Sequence, residues 1–299
     1  MWFRNLQIYR LEPGWKMTAD QLAEQLTRLP FQPCGSQEPL SRGWIAPVAD
    51  GPFAHSLGGH WLLTLMVEQR LLPGSVVKQE VAERAELLEA QQGFKPGRKQ
   101  LKDLRDAVVQ ELMPRAFTKR RRTSGWIDPK GGWLVIDAAS RKGAEPFIEA
   151  LLKAADSVPV TLLDTANSPA AAMTGWLADG DGPGAFGIDQ DCELRAVTDE
   201  KSAVRYVRHA LDGKDVREHL GGGKQVTKLA LTYDDRVSFT LNDKLEVKRL
   251  DFLDVVRDSV PDSLDQAERF DADFALMTGE LSRLIPALIE ALGGLQGGK

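Results

Sequence analysis

The chain has 299 residues, 42% hydrophobic and 27% charged, with 38 Lys and Arg against 43 Asp and Glu for a formal net charge of −5. That composition belongs to an ordinary globular protein with apolar material for one large or two medium domains, and it sets aside disordered and fibrous chains. An arginine interrupts the apolar opening (MWFRNLQIYR), no window approaches about 18 uncharged apolar residues, and only Cys34 and Cys192 occur. A signal peptide, a membrane span and a disulfide framework are therefore not expected, and the chain reads as a cytoplasmic protein with reduced, buried thiols.

Residues 2–11 alternate apolar and polar from Phe3 to Ile8, the pattern of a half-buried strand. Thr18, with Gln21 three residues on, predicts a capping box at the head of a short amphipathic helix that Pro30 stops. Pro33, Gly35, Pro39, Gly43 and Pro47 predict a loop containing a short strand at 43–45, and HWLLTLMV over 60–67 a core strand. The turn Leu72-Pro73-Gly74-Ser75 offers its serine as a cap for a helix over 76–92, with Val77, Val81, Ala85 and Leu88 on one stripe. Gly93 and Pro96-Gly97 break it, and a second helix over about 99–113 has Leu101, Leu104, Val108 and Leu112 as its seam. Two helices joined by so short a loop predict an antiparallel hairpin. It would be about 22 Å long and free to project from the body, with Lys95, Arg98 and Lys99 at its tip.

Pro114 ends the second helix, and two apolar runs between Trp126 and Ala138 flank the turn Pro129-Lys130-Gly131-Gly132, a hairpin signal. A helix over 141–155 and a buried strand over 158–164 follow. Residues 167–187 are rich in Gly, Ala and Pro and predict a boundary or a flexible excursion. Beyond them come a strand at 192–197, a short helix at 215–220, a flexible joint at Gly221-Gly222-Gly223, and a meander of 224–231, 237–241 and 246–252 turned at Asp234-Asp235. An acidic run (Asp251, Asp254, Asp258, Asp262, Asp265, Glu268, Asp271, Asp273) leads to a closing helix over 276–292. The order predicts an α+β fold of mixed antiparallel sheets with a projecting helical hairpin. The division is 1–165 and 166–299, unless the two form one continuous domain.

The segment Lys95–Arg122 carries Lys95, Arg98, Lys99, Lys102, Arg105, Arg115, Lys119, Arg120, Arg121 and Arg122 against Asp103, Asp106 and Glu111, a local +7 in a chain whose other residues sum to −12. Like charges this dense repel, and the compensating field most often comes from a polyanion. A solvated charged helix followed by a basic loop is the other reading, and composition leaves both open. The remaining fragments carry little chemistry. Gly221-Gly222-Gly223-Lys224 lacks the spacing and the leading strand of a phosphate loop. Asp128-Pro129-Lys130 has the Asp-x-Lys spacing of metal-dependent nucleases, but it sits in a turn that its own residue types explain. The histidines (His55, His60, His209, His219) show no zinc spacing and the serines no nucleophile elbow. The acidic run lacks regular ligand spacing and reads as a solvated face. No cofactor, metal or catalytic residue is expected. Phe117 is the lone aromatic of the basic segment, so single-strand stacking is not indicated. It could insert at a protein interface or cover the core, the interface being preferred. Without helix-turn-helix or zinc-finger spacing, sequence-independent binding to duplex DNA is favoured over operator reading.

Five blocks in order along the chain resemble the RdgC family of recombination-associated proteins. They are Trp2-Phe3 with Asn5-Leu6 and Tyr9-Arg10-Leu11; Phe31 with Pro33-Cys34-Gly35-Ser36-Gln37; Pro114-Arg115-Ala116-Phe117; Val226 to Leu231; and Arg269 to Phe274 running into Leu276 to Leu281. The resemblance implies a bacterial, nucleoid-associated protein without catalytic activity. Its horseshoe-shaped subunits would pair into a ring-shaped homodimer whose basic hole holds double-stranded DNA and which restrains RecA-type recombinase. Carried onto this sequence, the DNA-facing residues are Lys95, Arg98, Lys99, Lys102, Arg115, Lys119, Arg120, Arg121 and Arg122, with Arg208 beside His209 as a second basic position and Lys224 and Lys228 added from the meander. Phe117 and the helical hairpin are the candidates for the dimer interface. The chain departs from the family pattern around 167–190 and at the triple arginine. Two other functions stay open: a Mg²⁺-dependent nuclease using Asp128 and Lys130, and an interaction module whose basic arm docks an acidic protein.

Overall fold

A computed structural model describes residues 1–198, 202–261 and 263–296; Asp262 of the acidic run lies outside them. The elements run β1 (Gln7–Leu11), α1 (Ala19–Leu26), β2 (Leu40–Ile45), β3 (Ala54–Leu57), β4 (His60–Leu71), α2 (Gly74–Gln92), α3 (Arg98–Leu112), β5 (Phe117–Asp128), β6 (Trp133–Ile136), α4 (Arg141–Ala154) and β7 (Val160–Leu162). They continue with α5 (Pro169–Asp179), β8 (Phe186–Ala196), β9 (Ala203–Tyr206), α6 (Lys214–Gly221), β10 (Lys224–Tyr233), β11 (Val237–Asn242), β12 (Val247–Phe252), α7 (Asp254–Arg257) and α8 (Gln266–Ala291). Among the described residues the strands form two antiparallel sheets, ordered β2-β4-β5-β6-β1-β7 with β3 also on β4, and β12-β11-β10-β8-β9. The α+β expectation stands.

Strand alternation distributes the core. On β4 and β5, Leu63, Leu65 and Ile127 point to one side of the first sheet, where Leu22 and Leu26 of α1 and Phe147 and Leu151 of α4 cover them. Leu62 and Trp126 point to the other side, into a cluster shared with the second sheet, α5 and α8. Gly125 shows how tight the α4 side is, because a Cβ there would lie 2.3 Å from Phe147 Cζ. Helix α8 is buried along Phe274, Met277, Leu281, Leu284, Ile285 and Leu288. His55 Nε2 lies 2.9 Å from Asp271 Oδ1, tying α8 to β3.

Several expectations are corrected. The alternating stretch 2–11 is not one strand. Leu6 exchanges backbone bonds with Val247, and Arg4 accepts from the Leu250 N–H, so its first part joins β12 and only Gln7–Leu11 enters the first sheet. Ser75 caps nothing: α2 starts at Gly74, two residues earlier than expected, behind Pro73 and with no side-chain cap. The strand expected at 43–45 extends over Leu40–Ile45, and β3, unforeseen, lies between that loop and the strand expected at 60–67. The strand at 158–164 shortens to an edge strand whose Thr161 and Leu162 are exposed. Residues 167–187 hold α5, with Ser168 as its cap, Pro169 in its first turn and Met173 and Leu177 buried. The closing helix begins ten residues early, at an Asp265–Glu268 capping box. Cys192 is buried, but Cys34 is only half-buried.

Candidate nucleic-acid interface

The basic segment does not run from helix into loop. It divides between α3 and β5, with a 3-10 turn at Met113–Arg115 between them. Helices α2 and α3 form the expected hairpin. Gly93 ends α2 in the left-handed conformation at φ 79°, and Gln100 Nε2 donates to Gln92 Oε1 across the tip (3.0 Å). Arg84 of α2 reaches across to Glu111 of α3 and also pairs with Glu80 one turn back on its own helix, both at 2.8 Å. The seam is thin: Val77 and Val108, near the root, are the buried residues of the two helices, while Leu87 and Phe94 toward the tip are exposed. On α3 the spacing of Arg98, Lys102 and Arg105 places all three on one exposed face, with Lys99 beside them and Lys95 in the loop.

Strand β5 pairs along its length with β4, from Trp61↔Ile127 to Leu71↔Phe117. Its other side meets β6 only over Gly125–Asp128, so the half bearing Phe117 to Arg122 is an open sheet edge. Alternation sends Lys119 and Arg121 to the α4 side and Arg120 and Arg122 to the opposite side. Charge on an open edge also discourages strand addition.

Ion pairing sorts the candidates. Among the described residues no ion pair engages Lys95, Arg98, Lys99, Lys102, Arg105, Arg115, Lys119, Arg121 or Arg122. Arg120 is different. Its Nε donates to the buried Glu68 at 2.7 Å, and its guanidinium lies 5.5 Å from the Phe31 ring centroid. Arg120 and the Cys34 backbone N–H together hold the Glu68 carboxyl below the usual carboxylate range.

The second group lies on the other sheet. Lys228 pairs with Glu193 at 2.7 Å and holds its carboxyl down, and Lys224 Nζ sits 3.3 Å from His219 Nδ1. Arg208 is exposed and left-handed at φ 52°, its backbone N–H donating to Asp191 Oδ1. A cleft of about 320 Å³ beside Lys228 holds Arg205, Lys248 and Arg249, but Asp191 and Glu193 line it too. Lys248 pairs with Glu246 and Arg249 with Asp191. This surface is close to charge balance, and so is the hairpin as a whole, where Glu80, Glu83, Glu86 and Glu89 of α2 offset the cations of α3; the excess of positive charge lies at Arg115 and along the β5 edge.

Phe117 is 84% exposed, opposite the exposed Leu71, with Leu40 and Val76 also open to solvent. Asp128 is buried in its hairpin, its Oδ1 accepting the Gly131 N–H at 2.8 Å, while Lys130 is exposed. Among the described residues no group of three or more His, Cys, Asp or Glu is placed to hold a metal ion, and no helix is long and apolar enough to cross a membrane. Sequence reasoning missed Glu68 and Arg70, polar residues at the far end of an apolar strand that belong to no motif.

Fold and site together define an α+β protein that displays unpaired cations on the α3 face of a helical arm and along an open strand edge. The RdgC family model, described as "Putative exonuclease, RdgC", matches residues 1–295. The recombination-associated protein RdgC of Dechloromonas aromatica is 57% identical over 298 residues, covering 98% of this chain and 98% of its own. Those of Janthinobacterium sp. (48% over 295 residues) and Bordetella pertussis (49% over 296 residues) cover 98% of this chain, and 98% and 99% of their own. The chain belongs to the RdgC family.

Proposed function

We propose that the protein binds double-stranded DNA without reading its sequence, as a two-fold homodimer of horseshoe-shaped subunits that closes into a ring around the duplex. In recombination it would restrain a RecA-type recombinase at the nucleoid by occupying the recombinase's DNA. The observation that carries this reading is the clustering of unpaired cations: among the described residues no ion pair engages Lys95, Arg98, Lys99, Lys102 and Arg105 along α3 and its loop, or Arg115, Lys119, Arg121 and Arg122 at the β5 edge, which leaves them for an outside anion. Arginine and lysine so displayed neutralise backbone phosphates whatever the bases. Phe117 with Leu71 supplies an apolar patch that a second copy would cover, and a two-fold contact presents the same patch from both sides.

Replacing Lys119, Arg121 and Arg122 by Glu tests the reading. The variant should keep the native circular-dichroism spectrum and lose retention of a random-sequence duplex; undiminished binding would refute it. The exonuclease in the family's description keeps one alternative in view, metal-dependent cleavage of DNA at Asp128 and Lys130. Incubation with plasmid and Mg²⁺ decides it: intact DNA leaves the binding reading standing, and cleavage abolished by Asp128→Asn replaces it.

A further inference from the structure

Five backbone carbonyls converge on one guanidinium at the root of the arm. Arg70, on the far end of β4, donates through one terminal nitrogen to Met113 O (3.2 Å), Pro114 O (3.3 Å) and Ala116 O (3.2 Å). Its Nε and other terminal nitrogen donate to Gly35 O (3.2 and 3.1 Å), and the latter also to Cys34 O (3.4 Å). The first three carbonyls are those in which α3 runs out and the chain turns into β5. Such carbonyls need donors and carry partial negative charge. Helix α3 has no basic residue in its last turn, so the cation comes from β4.

The other two carbonyls belong to the loop that wraps under the arm. That loop is fastened twice more: Gln37 Nε2 donates to Gln110 O on α3 at 2.9 Å, and the Cys34 N–H donates to Glu68 Oε2 at 2.6 Å. Loop, strand and helix meet at a joint with Arg70 at its centre. The arm buries little along its own seam, so its pose depends on its root.

We propose that Arg70 is a positioning residue. It fixes the α3–β5 junction and so sets the α3 cations relative to those of the β5 edge for contact with phosphates, and it does not itself touch DNA. All its donor positions already point at carbonyls, unlike Arg121 and Arg122, which have no ion pair among the described residues. A lysine has the same charge, but its single nitrogen cannot span two sets of carbonyls as the planar fork does. The DNA part of this inference rests on the duplex-binding reading; the joint does not.

The test uses the full chain with Arg70→Lys and Arg70→Met. Hydrogen exchange of backbone amides over 98–116 should accelerate about tenfold in both, and the Kd for a random duplex should weaken about tenfold in both. The slope of log K against log salt should stay as in the parent, because no phosphate contact is lost. Parent-like behaviour of Arg70→Lys would overturn the proposal, and so would a slope shallower by about one unit, the mark of a phosphate contact. Should both variants lose their near-ultraviolet circular dichroism, Gln37→Ala takes their place: faster exchange over 107–113 supports the joint, and unchanged exchange rejects it. If the parent binds no duplex, the DNA reading fails while the exchange result still judges the joint.

Discussion

Arg120 and Arg121 are neighbours in a run of three arginines, yet their environments assign them different work. Arg121 has no anion among the described residues, while Arg120 neutralises a carboxylate that the sheet buries. Arg121→Glu should therefore weaken duplex binding at unchanged melting temperature. Arg120→Gln should lower the melting temperature instead, because Glu68 loses its partner. The pH dependence follows from the depressed Glu68 carboxyl. Its stabilising contribution is complete above the unfolded value of about 4.3 and is lost as pH falls through the lower folded value. The melting-temperature gap between parent and Arg120→Gln should thus be full at neutral pH and close in acid; a gap constant across that range would contradict the pairing. Cys192 offers a second residue-level check. Burial pushes its thiol up to about 12, so at neutral pH a maleimide should label it only on unfolding.

At the scale of elements, what could be read in advance was what local rules govern. The Thr18–Gln21 capping box, the helical hairpin and the meander turned at Asp234-Asp235, both left-handed at φ 51°, all form as their residue types require. The basic run was harder. Its β5 residues have no apolar alternation because both faces of that strand end are exposed, so the pattern that marks a half-buried strand never arises. Residues 167–187 misled by composition, although Ser168-Pro169 followed by Met173 and Leu177 at helical spacing was a usable signal. That 2–11 would serve two sheets depends on β12, about 240 residues away, and no local pattern carries it. Packing between elements gives its own test: Gly125→Ala forces a methyl into Phe147 and should cost about 1–3 kcal/mol in chemical denaturation. Of the site, the excess of charge was legible in the sequence, but its division between free and paired cations was not, since Glu68 and Glu193 lie far from their partners along the chain.

The whole molecule carries a net negative charge, and clusters its densest run of unpaired cations on the α3 face and the β5 strand edge. The proposed self-association would draw on the same strand edge. With 84% of Phe117 open to solvent, Phe117→Ser should leave the monomer fold intact and shift sedimentation toward the monomer; an unchanged dimer would move the interface elsewhere. A closed ring should also dissociate from linear duplex by sliding off its ends and persist on covalently closed circles. The salt dependence of duplex binding tests the central claim most directly. The account predicts that log K falls linearly with log salt, with a slope of about −0.9 for each phosphate neutralised. The slope should be the same for unrelated sequences and shallower in the Lys119, Arg121 and Arg122 charge-reversal variant. A slope near zero, or one that the variant leaves unchanged, would contradict it.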